Sequence, residues 1–218
     1  MSQNVFIVND YGIEYSNMFK RRGWKVVDTL LDASVVQFTG GSDVTPYFYG
    51  HWPHAKTHND LQRDLQEQRY YLAAAKYGIP MAGICRGGQF LNVMSGGTMW
   101  QDVSLHCMSH EAEYTEGDKR RKKMQVTSTH HQMMIPANDT DAYLLLMIAQ
   151  QQGLRAKRSN LSAKNPINID VERAKNDIEV LFYHENKALC FQPHPEFKGQ
   201  DDLSDLYFRY IDIFLLNK

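Results

Sequence analysis

The stretch Gly83-Ile84-Cys85-Arg86-Gly87-Gly88-Gln89 leaves the backbone few ways to run. A short apolar segment, Ile79-Pro80-Met81-Ala82, leads into it. Phe90-Leu91-Asn92-Val93-Met94, apolar at helical spacing, leads out and stops at Gly96-Gly97. This reads as strand, abrupt turn and helix, with a cysteine at the turn. Small residues on both sides let the chain fold sharply and lift the middle side chain into the open. A thiol so placed sits at a helix N-terminus, where free N–H groups and the macrodipole favour a thiolate. The same N–H groups can hold the oxyanion of a tetrahedral intermediate. A buried structural cysteine is the commoner arrangement across proteins. The glycines at Gly83 and Gly87 favour a nucleophile at Cys85 instead.

The 218 residues suffice for one well-buried α/β domain, expected to span 1–218, and no stretch has a linker's composition. A net charge of -1 gives no global pull toward nucleic acid or a membrane. No apolar run approaches the roughly 20 residues that cross a bilayer. Met1-Ser2-Gln3-Asn4-Val5-Phe6-Ile7-Val8 lacks a basic leader and reads as a first strand. Cys85, Cys107 and Cys190 are odd in number and unpaired in spacing, which fits a reducing, cytoplasmic setting.

Asn4 to Val8, Trp24 to Val27 and Ser34 to Phe38 read as strands, with an amphipathic helix carrying Ile13, Met18 and Phe19 between the first two. That alternation predicts an α/β fold with a three-layer, doubly wound, mainly parallel sheet, flavodoxin-like, whose ligands bind beyond the carboxyl ends of its strands. Gly40-Gly41 after the third strand fits either an ordinary turn or a loop that lets backbone N–H groups approach a ligand. Leu61–Tyr77 reads as a helix capped by Asn59 or Asp60 and ended by Gly78, with Leu61, Leu65 and Leu72 toward the sheet. His51, His54 and His58 share a loop that offers no frame to fix metal geometry, so no metal is expected there. Thr98 to Val103 and Met124 to Ser128 read as strands. The cations Lys119 to Lys123 read as a solvated hairpin tip. Segment 142–148 fits helix or strand, and the polar segment 155–176 reads as a surface excursion. His130 and His131, just past a strand end, either line a site or satisfy local backbone. Two strands flank 184–187, and Leu203, Leu206, Tyr207, Tyr210, Ile211 and Phe214 mark a C-terminal amphipathic helix.

A cysteine nucleophile needs a base, and the base needs an orienting group. His194 is flanked by Pro193 and Pro195, which hold it extended. Residues i and i+2 of an extended segment point the same way, so Glu196 projects beside the imidazole and can fix its tautomer. A proline-rich surface turn is the plainer reading of these residues alone; the elbow at Cys85 favours a triad. Nucleophile first, then histidine and acid two apart, differs from the α/β-hydrolases, whose acid lies on a separate loop before the histidine.

Taken together, the chain resembles the class I glutamine amidotransferase superfamily and, within it, the γ-glutamyl hydrolase (peptidase C26-like) branch, nearest the type that cleaves γ-glutamyl-γ-aminobutyrate. The resemblance is carried by Gly40-Gly41-Ser42-Asp43-Val44, Pro46, Tyr49-Gly50, Arg63-Asp64, Glu67, the Gly83–Gln89 elbow, Leu91-Asn92-Val93, Gly96-Gly97-Thr98, Gln101-Asp102, Ser128, His130-His131-Gln132 and His194-Pro195-Glu196. It implies a Cys85–His194–Glu196 triad and an oxyanion hole from the N–H groups of Gly41 and Arg86. It also implies that Gln89 and the Thr129–His130–His131 backbone grip the substrate's amino-acid end. The implied reaction is hydrolysis of a γ-glutamyl amide through a γ-glutamyl thioester, with no metal or organic cofactor. Asp43, with Tyr47 and Tyr49, is expected to contact a cationic or polar leaving amine. A glutaminase subunit feeding ammonia to a synthetase is the alternative, and a non-catalytic binding domain on the same fold is another. A synthetase or γ-glutamyl ligase partner and a homodimer are compatible with either enzyme. Two departures stand out: Pro193 where many relatives carry an aromatic residue, and the long 155–176 segment in place of a short turn.

Overall fold

The computed structural model describes residues 3–10, 12–116, 120–149, 153–158, 169–173 and 176–218. In chain order the elements begin with β1 (Asn4–Val8), α1 (Glu14–Arg21), β2 (Lys25–Val26), β3 (Val35–Phe38) and α2 (Leu61–Tyr77). The elbow follows as β4 (Met81–Ile84) and α3 (Arg86–Met94), then β5 (Thr98–Trp100), β6 (Asp102–Val103), β7 (His110–Tyr114), β8 (Lys122–Val126) and β9 (Met133–Ile135). The last elements are β10 (Tyr143–Ala149), β11 (Leu154–Arg158), β12 (Ile169–Arg173), β13 (Asp177–Tyr183), β14 (Ala188–Phe191) and α4 (Asp201–Tyr210), which runs on as a π-helical turn, Ile211–Leu215.

A nine-stranded sheet in the order β2-β1-β3-β4-β14-β13-β10-β7-β8 is the centre of the molecule. It is parallel from β2 to β14 and antiparallel from there outward. The parallel half needs crossovers, and these put helices on both faces. Neighbouring strand residues divide between two cores accordingly. Val35, Ala82, Leu189 and Phe191 pack with Phe19 and Tyr207 on the α1/α4 side. Val36, Met81, Ala188 and Cys190 pack with Ala74, Phe90 and Leu91 on the α2/α3 side. This is the expected three-layer arrangement, with the ends of β3, β4 and β14 opening on one edge.

Helix α2 has the expected limits: the Asp60 carboxylate accepts from the N–H groups of Gln62 and Arg63, and Gly78 ends it in the left-handed region. Its orientation corrects the expectation. Leu61, Leu65 and Leu72 are 45%, 40% and 58% exposed, while Arg63, Asp64, Glu67, Tyr71 and Ala74 are buried. The first half of α2 lies over the loop after β3, a polar neighbour, so its inner stripe carries charges that pair there. Of segment 142–148, residues 143–148 are strand, within β10, and Ala142 ends the 3-10 turn before it. Of the basic run, Lys122 and Lys123 lie on β8 and pair with Glu116 and Glu111, and residues 117–119 lie outside the described residues. The 155–176 excursion supplies β11 and β12, which pair antiparallel and attach to β6. Arg155 and Lys157 stack over the Trp100 ring at 4.9 and 4.8 Å.

The elbow is a close approach of backbones. A Cβ on Gly83 would lie 2.3 Å from the Gly87 carbonyl group, and one on Gly87 would lie 2.4 Å from the Phe38 oxygen. Those contacts are fixed main chain, so a Gly83→Ala chain has to shift strand against helix. It is expected to lose about 1–3 kcal/mol, read as a lower urea midpoint. An unchanged midpoint would mean that the elbow is looser than the geometry states.

Candidate active site

Cys85 stands at the junction of β4 and α3 with φ +52°, a region that side chains seldom adopt. The conformation is held from both sides. The Cys85 N–H donates to the Phe191 carbonyl at 2.7 Å, and its own carbonyl accepts from the Gln89 N–H at 3.0 Å. The thiol is thereby placed before the first N–H groups of α3, which have no partner inside the helix. The Arg86 N–H is the first of these.

The guanidinium of Arg86 turns the other way, into the interior, where it pairs with Asp64 and Glu67. Glu67 Oε1 also accepts from Arg63 Nε at 2.7 Å and Asn9 Nδ2 at 2.8 Å. Arg63 Nη2 in turn donates to the carbonyls of Thr39 and Gly40 at 3.1 and 2.8 Å, and Asp64 Oδ2 accepts from the Thr45 N–H at 2.8 Å. Two cations and two anions, all buried, thus tie the loop after β3 to the helix behind the nucleophile. Burial, with the nearby Arg63 charge, pulls Arg86 down to about 10 despite Asp64. Gly41 sits in this loop at φ +141°, and a Cβ there would meet Arg63 Nη1 at 2.1 Å, so any side chain would displace the network.

His194 comes to the same place from the end of β14. Its N–H donates to Thr127 Oγ1 at 2.8 Å, and its Nδ1 lies 2.6 Å from Glu196 Oε1. The other ring nitrogen lies 2.9 Å from the Thr129 hydroxyl, and the Cys85 thiol is near enough for its charge to act on the imidazole. The ring of Phe197 stacks on the imidazole at 4.3 Å, nearly parallel. An aromatic surface on the histidine is therefore present even though Pro193 precedes it. Burial alone lowers the affinity of His194 for a proton, but the hydrogen bonds and charges of Cys85 and Glu196 outweigh it and raise the pKa from 6.5 to about 10. The imidazolium should then survive to high pH, and the alkaline limb of kcat/KM is expected near pH 10, not near 6.5. A Glu196→Gln chain lacks one of the raising charges, so its limb is expected at lower pH. An unmoved limb would show that Glu196 does not hold the imidazolium.

A cavity of about 480 Å³ opens beside Cys85. Of the positions expected to bind substrate, Gln89, Thr129, His130, His131 and Asp43 border it, as do Gly41 and Arg86. Their side chains are used differently. Gln89 Nε2 donates to Gln192 Oε1 at 3.0 Å and to the Gln132 carbonyl at 3.3 Å. The His130 ring packs against His106 at 4.8 Å, with its Nδ1 2.9 Å from the Gln132 carbonyl. The Asp43 carboxylate accepts from the His58 N–H at 2.8 Å and lies 3.2 Å from His131 Nε2, which raises the pKa of His131. Of the three residues expected to meet a cationic or polar amine, Asp43 borders the cavity, whereas Tyr47 and Tyr49 do not line it. Asp43 is already engaged, Tyr47 packs on Trp52, and the Tyr49 hydroxyl accepts from Gln101 behind the wall.

Several neighbours carry no sequence signal. Tyr15 accepts from the Gly40 N–H at 2.9 Å and lies beside Glu196, and burial together with that carboxylate raises the pKa of its phenol. The thiols of Cys190 and Cys107 lie elsewhere: Cys190 is buried in the α2/α3 core, which keeps it protonated, and Cys107 is exposed.

The family model for peptidase C26 matches residues 24–196. Among curated relatives, a glutamine amidotransferase-like protein of Lactococcus lactis subsp. cremoris, the YvdE homolog, is 38% identical over 117 residues, 45% of this chain and 62% of that protein. Protein NtpR of Enterococcus hirae is 35% identical over 111 residues, 49% of this chain and 42% of that protein. The carbamoyl phosphate synthase small chain of Polynucleobacter asymbioticus is 26% identical over 152 residues, 66% of this chain and 31% of that one. The match thus spans less than two thirds of each of these relatives. Two solved structures share the fold. PurLQS from Thermotoga maritima aligns with TM-score 0.61 at 14% identity over 98% of this chain and 99% of that one. A glutamine amidotransferase from Thermotoga maritima aligns with TM-score 0.58 at 15% identity over 99% and 83%. No helix among the described residues is long and apolar enough to cross a membrane.

Proposed function

The chain belongs to the peptidase C26 family, and from that premise we propose that it is a cysteine hydrolase of γ-glutamyl amides. The observation that supports the reading is the His194–Glu196 pair, Nδ1 to Oε1 at 2.6 Å, set beside Cys85 where the thiol borders the cavity. In the proposed reaction the Cys85 thiolate attacks the γ-carbonyl, and the oxyanion forms toward the N–H groups of Gly41 and Arg86. His194 gives its proton to the departing amine, which leaves a γ-glutamyl thioester on Cys85. His194, now neutral, takes a proton from water, and hydroxide attack releases glutamate and restores the thiolate. The Thr129 hydroxyl can follow the imidazole through both states, accepting from Nε2–H and later donating to bare Nε2. Gln89 and the backbone of Thr129, His130 and His131 bind the α-amino and α-carboxylate end.

The rim beyond the scissile bond carries Lys56, paired with Asp102 at 2.9 Å, together with His58 and with His131, which pairs with Asp43. Both carboxylates are engaged, whereas the largely exposed Lys56 ammonium keeps N–H donors to spare, which favours a leaving amine that bears its own carboxylate. Purified protein offered γ-glutamyl-γ-aminobutyrate and γ-glutamylputrescine is expected to release glutamate from the first at least about tenfold faster in kcat/KM, a difference of about 1.4 kcal/mol. Equal rates, or the reverse order, would remove the rim from the account of specificity. The kinship with a carbamoyl phosphate synthase small chain supports a second reading, a glutaminase that supplies ammonia to a synthetase. Turnover of L-glutamine alone, rising when a synthetase is added, would select it.

A further inference from the structure

Behind the wall of the cavity, at the antiparallel end of the sheet, His106, His110 and Glu179 turn one ligand atom each toward a common point, all within 4.8 Å of one another. His106 Nδ1 is 3.6 Å and His110 Nε2 2.9 Å from Glu179 Oε1. Ligands around a tetrahedral zinc with bonds of roughly 2.0–2.1 Å stand about 3.3 Å apart, so the spacing needs only small side-chain shifts to close on an ion. All three residues are buried, and His106 Nδ1 and Glu179 Oε2 have no hydrogen-bond partner. Unpartnered polar atoms at such depth are costly and ask for a ligand.

The surroundings are those of a metal site. His106 Nε2, the nitrogen away from the common point, bonds Asp177 Oδ2 at 2.8 Å, and Asp177 is itself held by Arg155 at 3.0 Å. The far nitrogen of His110 faces the Met108 carbonyl at 3.4 Å. Such outer partners fix ring orientation and leave the inner nitrogen free to ligate. Glu179 is brought in by the strand itself: Met147 and Ile148 of β10 face Val180 and Ile178 of β13, so Glu179 is the extra residue of a β-bulge. Bulges re-aim side chains in this way.

We propose that His106, His110 and Glu179 form a binding site for a divalent transition metal ion, zinc above all, that braces the cavity wall. Two imidazoles and one carboxylate suit zinc and its neighbours better than magnesium or calcium. Ion binding displaces the proton between His110 Nε2 and Glu179 and releases it to solvent. The brace reaches the cavity through two contacts: Ser128 donates its hydroxyl to the His106 carbonyl, and the His130 ring lies on the His106 ring. Segment 128–131, which borders the cavity, is thereby set by the ion. The proposed chemistry at Cys85 does not pass through this site.

The test is direct zinc binding to chelator-stripped protein by calorimetry, with melting temperature followed in parallel. It is run on the unaltered chain and on Cys85→Ala, because a thiolate beside an imidazole is a competing zinc site. The expected result is one zinc per chain in both, a higher melting temperature with zinc, and affinity at least tenfold lower in His110→Gln and Glu179→Gln. Cobalt in place of zinc is expected to give the visible bands of a four-coordinate complex without thiolate charge transfer, a readout that needs no variant. Absence of binding, loss of binding in Cys85→Ala, a thiolate–cobalt band, or unchanged affinity in both site variants would each overturn the proposal.

Discussion

A Cys85→Ala chain is expected to release glutamate from γ-glutamyl amides at least about 10⁴-fold more slowly than the unaltered chain. The size follows from what remains once the sulfur is gone. The cavity, the N–H groups of Gly41 and Arg86, and the His194–Glu196 pair persist, so binding and polarisation of the carbonyl persist with them. Among the described residues no other thiol is in place: Cys190 is buried in the far core and Cys107 lies on the surface. Thr129 touches His194, but an alcohol lacks the thiol's ready ionisation. The fold should be unaffected, since Cys85 holds its position through backbone bonds. Initial rates by mass spectrometry, with melting curves alongside, separate loss of chemistry from loss of structure. A residual rate within about tenfold of the original would move the nucleophile elsewhere.

Glu67→Gln is expected to cost about 3–5 kcal/mol of stability. Glu67 is fully buried and partners Arg63, Arg86 and Asn9 at once. Removing its charge takes the paired carboxylate from Arg63 and leaves Arg86 with Asp64 alone, and a loss of that size is a large part of the 5–15 kcal/mol that an ordinary domain possesses. The effect should also reach the site. Arg63 anchors the carbonyls beside Gly41, and Arg86 carries the other proposed oxyanion donor, so chains that remain folded should show lower kcat with less change in KM. Urea unfolding and steady-state kinetics on the same preparation check both. A change below about 0.5 kcal/mol would show that the network is solvated in solution.

The parallel half of the fold was legible because local signals agree there. Asn4–Val8 is apolar throughout, Asp60 and Gly78 punctuate α2, and the glycines around Cys85 have a single physical use. The order of chemistry-bearing residues was legible as well, since Pro193 and Pro195 restrict His194 and spacing places Glu196 beside it. The inner face of α2 was not. Leu61, Leu65 and Leu72 satisfy an apolar pattern, whereas the buried stripe is charged, and only the loop after β3 gives those charges partners. Tyr15 approaches Glu196 through a tertiary contact that no local pattern encodes, whereas Phe197 reaches His194 through a local turn, its N–H facing the His194 carbonyl at 3.4 Å. The His106–His110–Glu179 group depends on a bulge in β13, and sequence spacing does not reveal where a strand gains a residue.

The central claim is that Cys85 carries the acyl group, and acid-quenched mass spectrometry during turnover of a γ-glutamyl amide tests it most directly. The account predicts a mass gain of one γ-glutamyl group on the peptide containing Cys85, labile to hydroxylamine and absent from Cys85→Ala. Sustained glutamate release with no adduct at Cys85, or an adduct at another residue, would contradict it.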